Sequence, residues 1–258
     1  PYPSLRLWHL LSRQRQVDCL TSAWAYATDQ LDSSSFWRDG LARFGIDVAV
    51  TGETTAGIPR TGPLLVVANH PHGILDGLLA ATALSSVRTD LRIMVNHALG
   101  ELPGPQQWLI GVNPFSSRRA TDNITAIRRA VEWLRRGNCL VVFPAGEVSH
   151  FSFRHRRVTD EPWSTGPAFL FRRSEAHVLP LFIHGRNSLT FQILGLLGWR
   201  ARFPLLVPEF MRSRGRHFTV SFGRCIQPKD LKSIGNDLTL TNQLRQAVYR
   251  ADSTERHF

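Results

Sequence analysis

Cysteine is scarce in this 258-residue chain: Cys19, Cys139 and Cys225 stand far apart, and no Cys-x-x-Cys pair occurs. Neither a disulfide framework nor a thiolate zinc site is indicated, and a reducing compartment is the simpler reading. Lysine is scarcer still, with only Lys229 and Lys232, so arginine carries nearly all the basic charge behind the formal net charge of +11. Such a surface fits plain solvation. It also fits attraction to an acidic partner protein or to anionic lipid head groups, where each basic residue is worth ~1 kcal/mol. Recognition-helix, RNA-sheet and zinc-finger patterns are absent, so no nucleic-acid partner is expected. Also absent is any run of ~18 uninterrupted apolar residues, the length of a spanning helix. Residues 189–199 come nearest, interrupted by Gln192 and flanked by Arg186, Arg200 and Arg202. Leu205, Leu206, Val207 and Phe210 continue the pattern, broken by Pro204 and Pro208. A segment of this kind is a core helix, or an interfacial one whose arginines sit among head groups. In the second case the chain lies on an anionic membrane surface without crossing it.

Apolar periodicity divides the rest. Residues 5–39 repeat Leu7, Leu10, Leu11, Leu20, Ala23, Trp24 and Ala27 at three- and four-residue steps, which predicts helix. No cleavable signal-peptide pattern accompanies it. From residue 46, short β-rich runs alternate with helical ones. Strands are predicted at 46–50, 64–68, 91–95, 139–143, 178–183 and 218–222, and helices at 75–86, 121–136, 166–174 and 238–249. Thr121 is the expected cap of the second helix, and Gly137-Asn138 its end. The alternation predicts an α/β fold, a mostly parallel sheet flanked by helices. An N-terminal helical segment (1–45) precedes a single domain (46–258).

Two segments stand at the carboxyl ends of predicted strands, where α/β sheets keep their chemistry. One is Asn69-His70-Pro71-His72-Gly73-Ile74-Leu75-Asp76; the other is Phe143-Pro144-Ala145-Gly146-Glu147-Val148-Ser149. A histidine and a carboxylate in one strand-to-helix turn can serve as a general base and its orienter. Gly73 permits the close approach that such a turn needs.

Four blocks, Asn69-His70 with Asp76, residues 111–118, Phe143-Pro144-x-Gly146 and Val178-Leu179-Pro180, resemble in order and spacing those of the glycerolipid acyltransferase superfamily, the glycerol-phosphate and lysophosphatidic acid acyltransferases. The resemblance runs from about residue 46 to 226. Phe143 to Ser149, with Trp163, Gly166 and His184-Gly185-Arg186-Asn187-Ser188, looks most like the bacterial hemolysin-like or lysophospholipid acyltransferase branch, associated with aminoacyl-lipid synthesis.

The resemblance implies an enzyme of phospholipid or related lipid biosynthesis. It would move a fatty acyl group from an acyl thioester, acyl-CoA or acyl-carrier protein, to the hydroxyl of a lyso-lipid, with no cofactor or metal. His70 would be the base and Asp76 its orienter. Arg118, Gly146 and Glu147 would bind the acceptor, Arg119 being one register away from Arg118. Asn69, His72 and Gly73 would shape the turn, with His72 the other candidate base. The protein would be peripheral, on the cytoplasmic face of the cell membrane.

Two departures bear on this. His70 and Asp76 have five residues between them where the family has four. The family's Glu-Gly-Thr-Arg is here Ala145-Gly146-Glu147-Val148, without the arginine. A phosphomonoester, with about two negative charges, wants bidentate arginine, so an acceptor without one is expected. Two other readings remain open from the residues. One is a metal-dependent hydrolase using His70 and His72 with His97 and His184, against which stands Ile74 where a metallo-β-lactamase has aspartate. The other is a non-enzymatic membrane-binding protein.

Overall fold

A computed structural model describes residues 33–97, 105–113 and 119–252. Its centre is a seven-stranded sheet. The strands are β1 (Asp47–Gly52), β2 (Leu64–Ala68), β3 (Leu91–Asn96), β4 (Leu109–Val112), β5 (Cys139–Val142), β8 (His177–Ile183) and β9 (His217–Phe222), in the order β1-β9-β8-β2-β5-β3-β4. Every neighbouring pair is parallel except β8 and β9. A separate antiparallel hairpin, β6 (His150–Ser152) and β7 (Arg157–Thr159), follows β5.

β2 reads Leu-Leu-Val-Val-Ala and is buried throughout, as a central parallel strand covered on both faces must be. Its side chains alternate between two cores. Leu64, Val66 and Ala68 join Trp37 and Leu41 of α1 (Ser33–Ala42) and Leu75 and Leu79 of α2 (Ile74–Leu84). Leu65 and Val67 join Ala130 and Leu134 of α3 (Arg119–Arg135), Phe171 of α4 (Gly166–Ser174), and the carboxyl-terminal helix Asp237–Arg250 through Leu240, Leu244 and Val248.

At the end of the sheet away from the two sequence segments, Arg88 is fully buried. It donates to both oxygens of Asp90 and to the carbonyls of Pro59, Gly62 and Gly137. One side chain thus satisfies loop carbonyls that burial would otherwise strand.

The α/β architecture and six of the strands fall where periodicity predicts them. Some expectations do not hold. β4 and the β6–β7 hairpin, of four and three residues per strand, are too short to show a period. Helix α3 starts at Arg119, so Thr121 lies inside it and is not its cap. The apolar segment does not form one helix. It breaks into α5 (Leu189–Gly195), α6 (Trp199–Arg202), a 3-10 turn (Phe203–Leu205) and α7 (Leu206–Arg212). Of these, Phe203, Leu206, Val207 and Phe210 are core, whereas Leu189 and Leu197 are each 75% exposed. The helix predicted over 5–39 falls mostly outside the described residues. Among those described, no helix is long and apolar enough to cross a membrane.

Candidate active site

Strands β8, β2 and β5 are adjacent and parallel, so the segments that leave their carboxyl ends meet. Asn69, the first residue after β2, closes a reciprocal pair with Ile183 of β8: its Nδ2 donates to the Ile183 carbonyl (2.9 Å) and its Oδ1 accepts from the Ile183 amide (2.7 Å). The chain then turns. Gly73 stands at φ 78°, and a Cβ there would lie 2.8 Å from Leu206 Cδ2 and 3.2 Å from Val148 Cγ2. Only glycine suits that position.

The turn brings His70 and Asp76 together. His70 Nδ1 lies 2.8 Å from Asp76 Oδ2, and that oxygen also accepts from the amides of His72 and Gly73, each at 2.8 Å. Asp76 is fully buried; the His70 side chain keeps 18% exposure. A carboxylate oxygen offers only acceptor capacity here, so Nδ1 carries the proton and Nε2 presents its lone pair. The ring stacks on Phe143, centroids 4.5 Å apart. His72 is placed differently. It is buried, edge-on to Phe218, with Nε2 donating to the carbonyl of His184 (2.9 Å). Its ring is thus committed to holding the turn against the end of β8.

A second carboxylate, which the sequence reading passed over, fixes the main chain of His70. Asp160, at the end of β7, accepts from the His70 amide (3.1 Å) and from Ser149 Oγ on one oxygen, and from Trp163 Nε1 (2.9 Å) on the other. The Ser149 amide donates to the His70 carbonyl at 2.8 Å. Both polar groups of the His70 peptide are therefore held by the turn after β5 and the hairpin that follows it. Burial pushes the Asp160 carboxyl above its usual range, and the three donors pull it back. Trp163 was legible as a motif residue; Asp160 carried no signal of its own.

Glu147 lies in the same turn, beyond Gly146 at φ 73°. It pairs with Arg202 of α6. Arg202, expected to flank a membrane segment, is only 3% exposed. Of the remaining sequence candidates, Arg118 lies outside the described residues and Arg119 opens α3.

A serine–histidine–aspartate set also occurs: His184 Nε2 lies 2.6 Å from Ser221 Oγ, and His184 Nδ1 lies 3.5 Å from Asp252 Oδ1. Ser221 is completely buried and shares a 2.7 Å hydrogen bond with Thr51. The geometry resembles a nucleophilic triad, but no substrate can reach the hydroxyl, and the set ties β9 to β1 and β8. Among the described residues, no three or more His, Cys, Asp or Glu side chains gather as a metal cage.

A family model described as Acyltransferase matches residues 29–254. Two curated relatives, both named lyso-glycine lipid O-acyltransferase, come from Phocaeicola vulgatus and Bacteroides thetaiotaomicron. The first is 27% identical over 70% of this chain and 65% of its own length, the second 24% identical over 70% and 67%. The chain thus spans about two thirds of the relatives it matches. The crystal structure of the 1-acyl-sn-glycerophosphate (LPA) acyltransferase from Thermotoga maritima superposes with a TM-score of 0.57 at 18% identity, over 88% of this chain and 79% of that one, which shows a shared fold.

Proposed function

From the premise that the chain belongs to the acyltransferase family, we propose that it is an O-acyltransferase that moves a fatty acyl group from an acyl thioester to the hydroxyl of a lyso-lipid. The observation that carries the reading is the His70 Nδ1 to Asp76 Oδ2 contact of 2.8 Å, which leaves Nε2 as a base at the strand ends. In the reaction Nε2 takes the proton of the acceptor hydroxyl as its oxygen attacks the thioester carbonyl. The tetrahedral intermediate expels the thiolate, which takes the proton from the imidazolium, leaving an ester and a free thiol. Asp76 holds the tautomer and stabilises the imidazolium. Acyl-CoA and acyl-carrier protein are the donors to test, and the acceptor is a lyso-lipid of the kind the relatives' name denotes. The assay supplies both thioesters with a panel of lyso-lipids and follows the doubly acylated product by mass spectrometry. Product from no pair would overturn the assignment.

The same protein is proposed to work peripherally on an anionic membrane, at its cytoplasmic face. Leu189, Ile193, Leu196 and Leu197 of the α5 region are exposed, as is Phe153 of the hairpin that packs against α5. Arg186, Arg200 and Arg154, all exposed, border them. Apolar side chains ringed by guanidinium groups suit the head-group boundary. Flotation with anionic vesicles tests it: failure to float at low salt returns this face to some other partner.

A further inference from the structure

At the end of the sheet opposite His70, three loops enclose a polar hollow of about 610 Å³. Residues 60–62 lead into β2, 85–90 into β3 and 136–138 into β5, so the hollow lies at the amino ends of three neighbouring strands. Its volume falls in the range of small-ligand sites, about 300–1,000 Å³. Its walls differ from theirs. Such sites are mostly apolar, whereas Val87 is the one aliphatic side chain among the described residues that line this one. An acyl chain would find nothing to pack on there, and the lining calls for a charged, hydrogen-bonding occupant.

The rim is fixed in advance. Arg88, buried behind the loops, binds the carbonyls of Pro59, Gly62 and Gly137 and both oxygens of Asp90. The loops also touch each other: a Cβ at Gly137 would lie 3.6 Å from Gly62 Cα. The Leu64 amide donates to the Asn138 carbonyl and the Cys139 amide to the Asp90 carbonyl, each at 3.2 Å. A ligand here would not have to order the chain that receives it.

The charge of the hollow is positive. Arg88 offsets Asp90, while Arg60 and Arg136, both exposed, pair with no carboxylate among the described residues. The excess continues past the rim. Arg92 lies 3.9 Å over the Trp133 ring with its Nε buried and without an acceptor, and its pKa is lowered by burial first and by Arg129 and Arg136 second. Two acceptors stand among these donors. Asp90 is 32% exposed and keeps lone pairs after bonding Arg88. Asn138 has its Nδ2 engaged by the Trp133 carbonyl at 3.2 Å, which leaves Oδ1.

We propose that this hollow binds a phosphorylated polyol, the phosphate across Arg60 and Arg136 and the polyol hydroxyls on Asp90 and Asn138. A phosphomonoester carries about two negative charges, which matches two guanidiniums without carboxylates. The hydroxyls donate to acceptors that a bare phosphate would leave unused. The five residues of β2, at ~3.3 Å each, and the core around them separate the hollow from His70, so its ligand is not a reactant in acyl transfer. A soluble sugar phosphate and a phosphorylated inositol lipid head group share this chemistry.

Calorimetric titration at constant ionic strength with glucose 6-phosphate, glucose and inorganic phosphate tests the soluble source. Flotation with vesicles containing phosphatidylinositol phosphate, against vesicles of phosphatidylinositol, tests the lipid one. Glucose 6-phosphate should bind at one site, and glucose should give no measurable heat. Arg60→Ala and Arg136→Ala should each weaken binding by roughly ten- to hundredfold, the span of one charge-assisted hydrogen bond, with the melting temperature unchanged because both side chains are exposed. Lys229→Ala, which removes equal charge elsewhere, and His70→Ala should bind as wild type does. Preference for phosphatidylinositol phosphate vesicles that vanishes in the double variant, with no soluble ligand bound, would assign the same site to a lipid head group. No binding of either form, binding that survives in the Arg60→Ala, Arg136→Ala double variant, or its loss in His70→Ala would each overturn the proposal. Inorganic phosphate bound as tightly as glucose 6-phosphate would overturn the polyol.

Discussion

Asp160 and Arg202 are both buried ionisable side chains close in the chain to residues that touch the His70–Asp76 turn, and they are satisfied very differently. The two oxygens of Asp160 accept from His70, Ser149 and Trp163, and its amide donates to Tyr249 of the last helix. Arg202 has Glu147 on one nitrogen and nothing on another, and the helix above it presents bare leucines outward. Where hydrogen bonding is complete, the main chain has one low-energy arrangement, and a reacting nitrogen can be placed to a fraction of an ångström. Where it is incomplete, no single arrangement is imposed. Around Asp160 the hydrogen bonding is complete, and around Arg202 it is not.

Breaking the fixed side should have the larger effect. His70→Ala removes the proposed base, and transfer should fall by about 100- to 10,000-fold with the melting temperature little changed. Residual activity within tenfold of wild type would move the base elsewhere, with His72 the first alternative. Next comes Asp160→Ala. Three buried donors lose their acceptor, each worth ~1–3 kcal/mol, so stability should drop by several kcal/mol. The turnover number should fall while the donor KM holds. Asp160→Asn restores an acceptor for His70 and should recover part of kcat; equal damage from both variants would reduce Asp160 to a purely structural role.

The yielding side sharpens the contrast through surface changes that leave the fold alone. Leu189→Ser with Leu197→Ser alters two exposed residues, so stability should stay within about 0.5 kcal/mol. Binding to anionic vesicles should become more salt-sensitive, since charge is screened within ~8 Å at physiological salt and apolar insertion is not. Flotation unchanged at high salt would remove this face from the membrane. Leu194 is half-buried and a poorer probe.

The smallest effect is a slope. His150 and His184 are half-buried, and burial lowers the pKa of each. Below about 6.5, the usual histidine value, the unfolded chain binds more protons than the folded one, so stability falls with falling pH. Asp160, raised by burial, acts oppositely: its folded form binds the extra proton, and that contribution fades as pH rises through its folded pKa. Melting temperatures between pH 7.5 and 5.5 should therefore decline, and His184→Gln should flatten the decline. A steeper slope in that variant would reverse the assignment.

The legible parts of this molecule are those with a period or a local partner. β2, β5 and β8 announce themselves as short apolar runs, and His70 and Asp76 share one turn, so both could be named from spacing. Asp160 could not: its three partners lie 3, 11 and 90 residues away. Arg202 misled for a related reason. Among leucines and beside Arg200 it reads as an interfacial residue, and only the fold, which brings Glu147 to it across 55 residues, turns it inward. Thr121 failed as a cap because helix α3 starts two residues before it, among residues whose pattern carries no apolar face.

Asn69 has a consequence for the sheet. Its amide carries the same donor and acceptor as a peptide unit and offers both to Ile183, so the ladder gains a rung after its own main chain has departed. The strand can thus end abruptly without orphaning the polar groups of its neighbour. An aspartate there would set oxygen against the Ile183 carbonyl, and a glutamine would overreach. The bend into His70 is hinged on a side chain that imitates backbone, and through it the stiffness of seven strands reaches a residue that belongs to none of them.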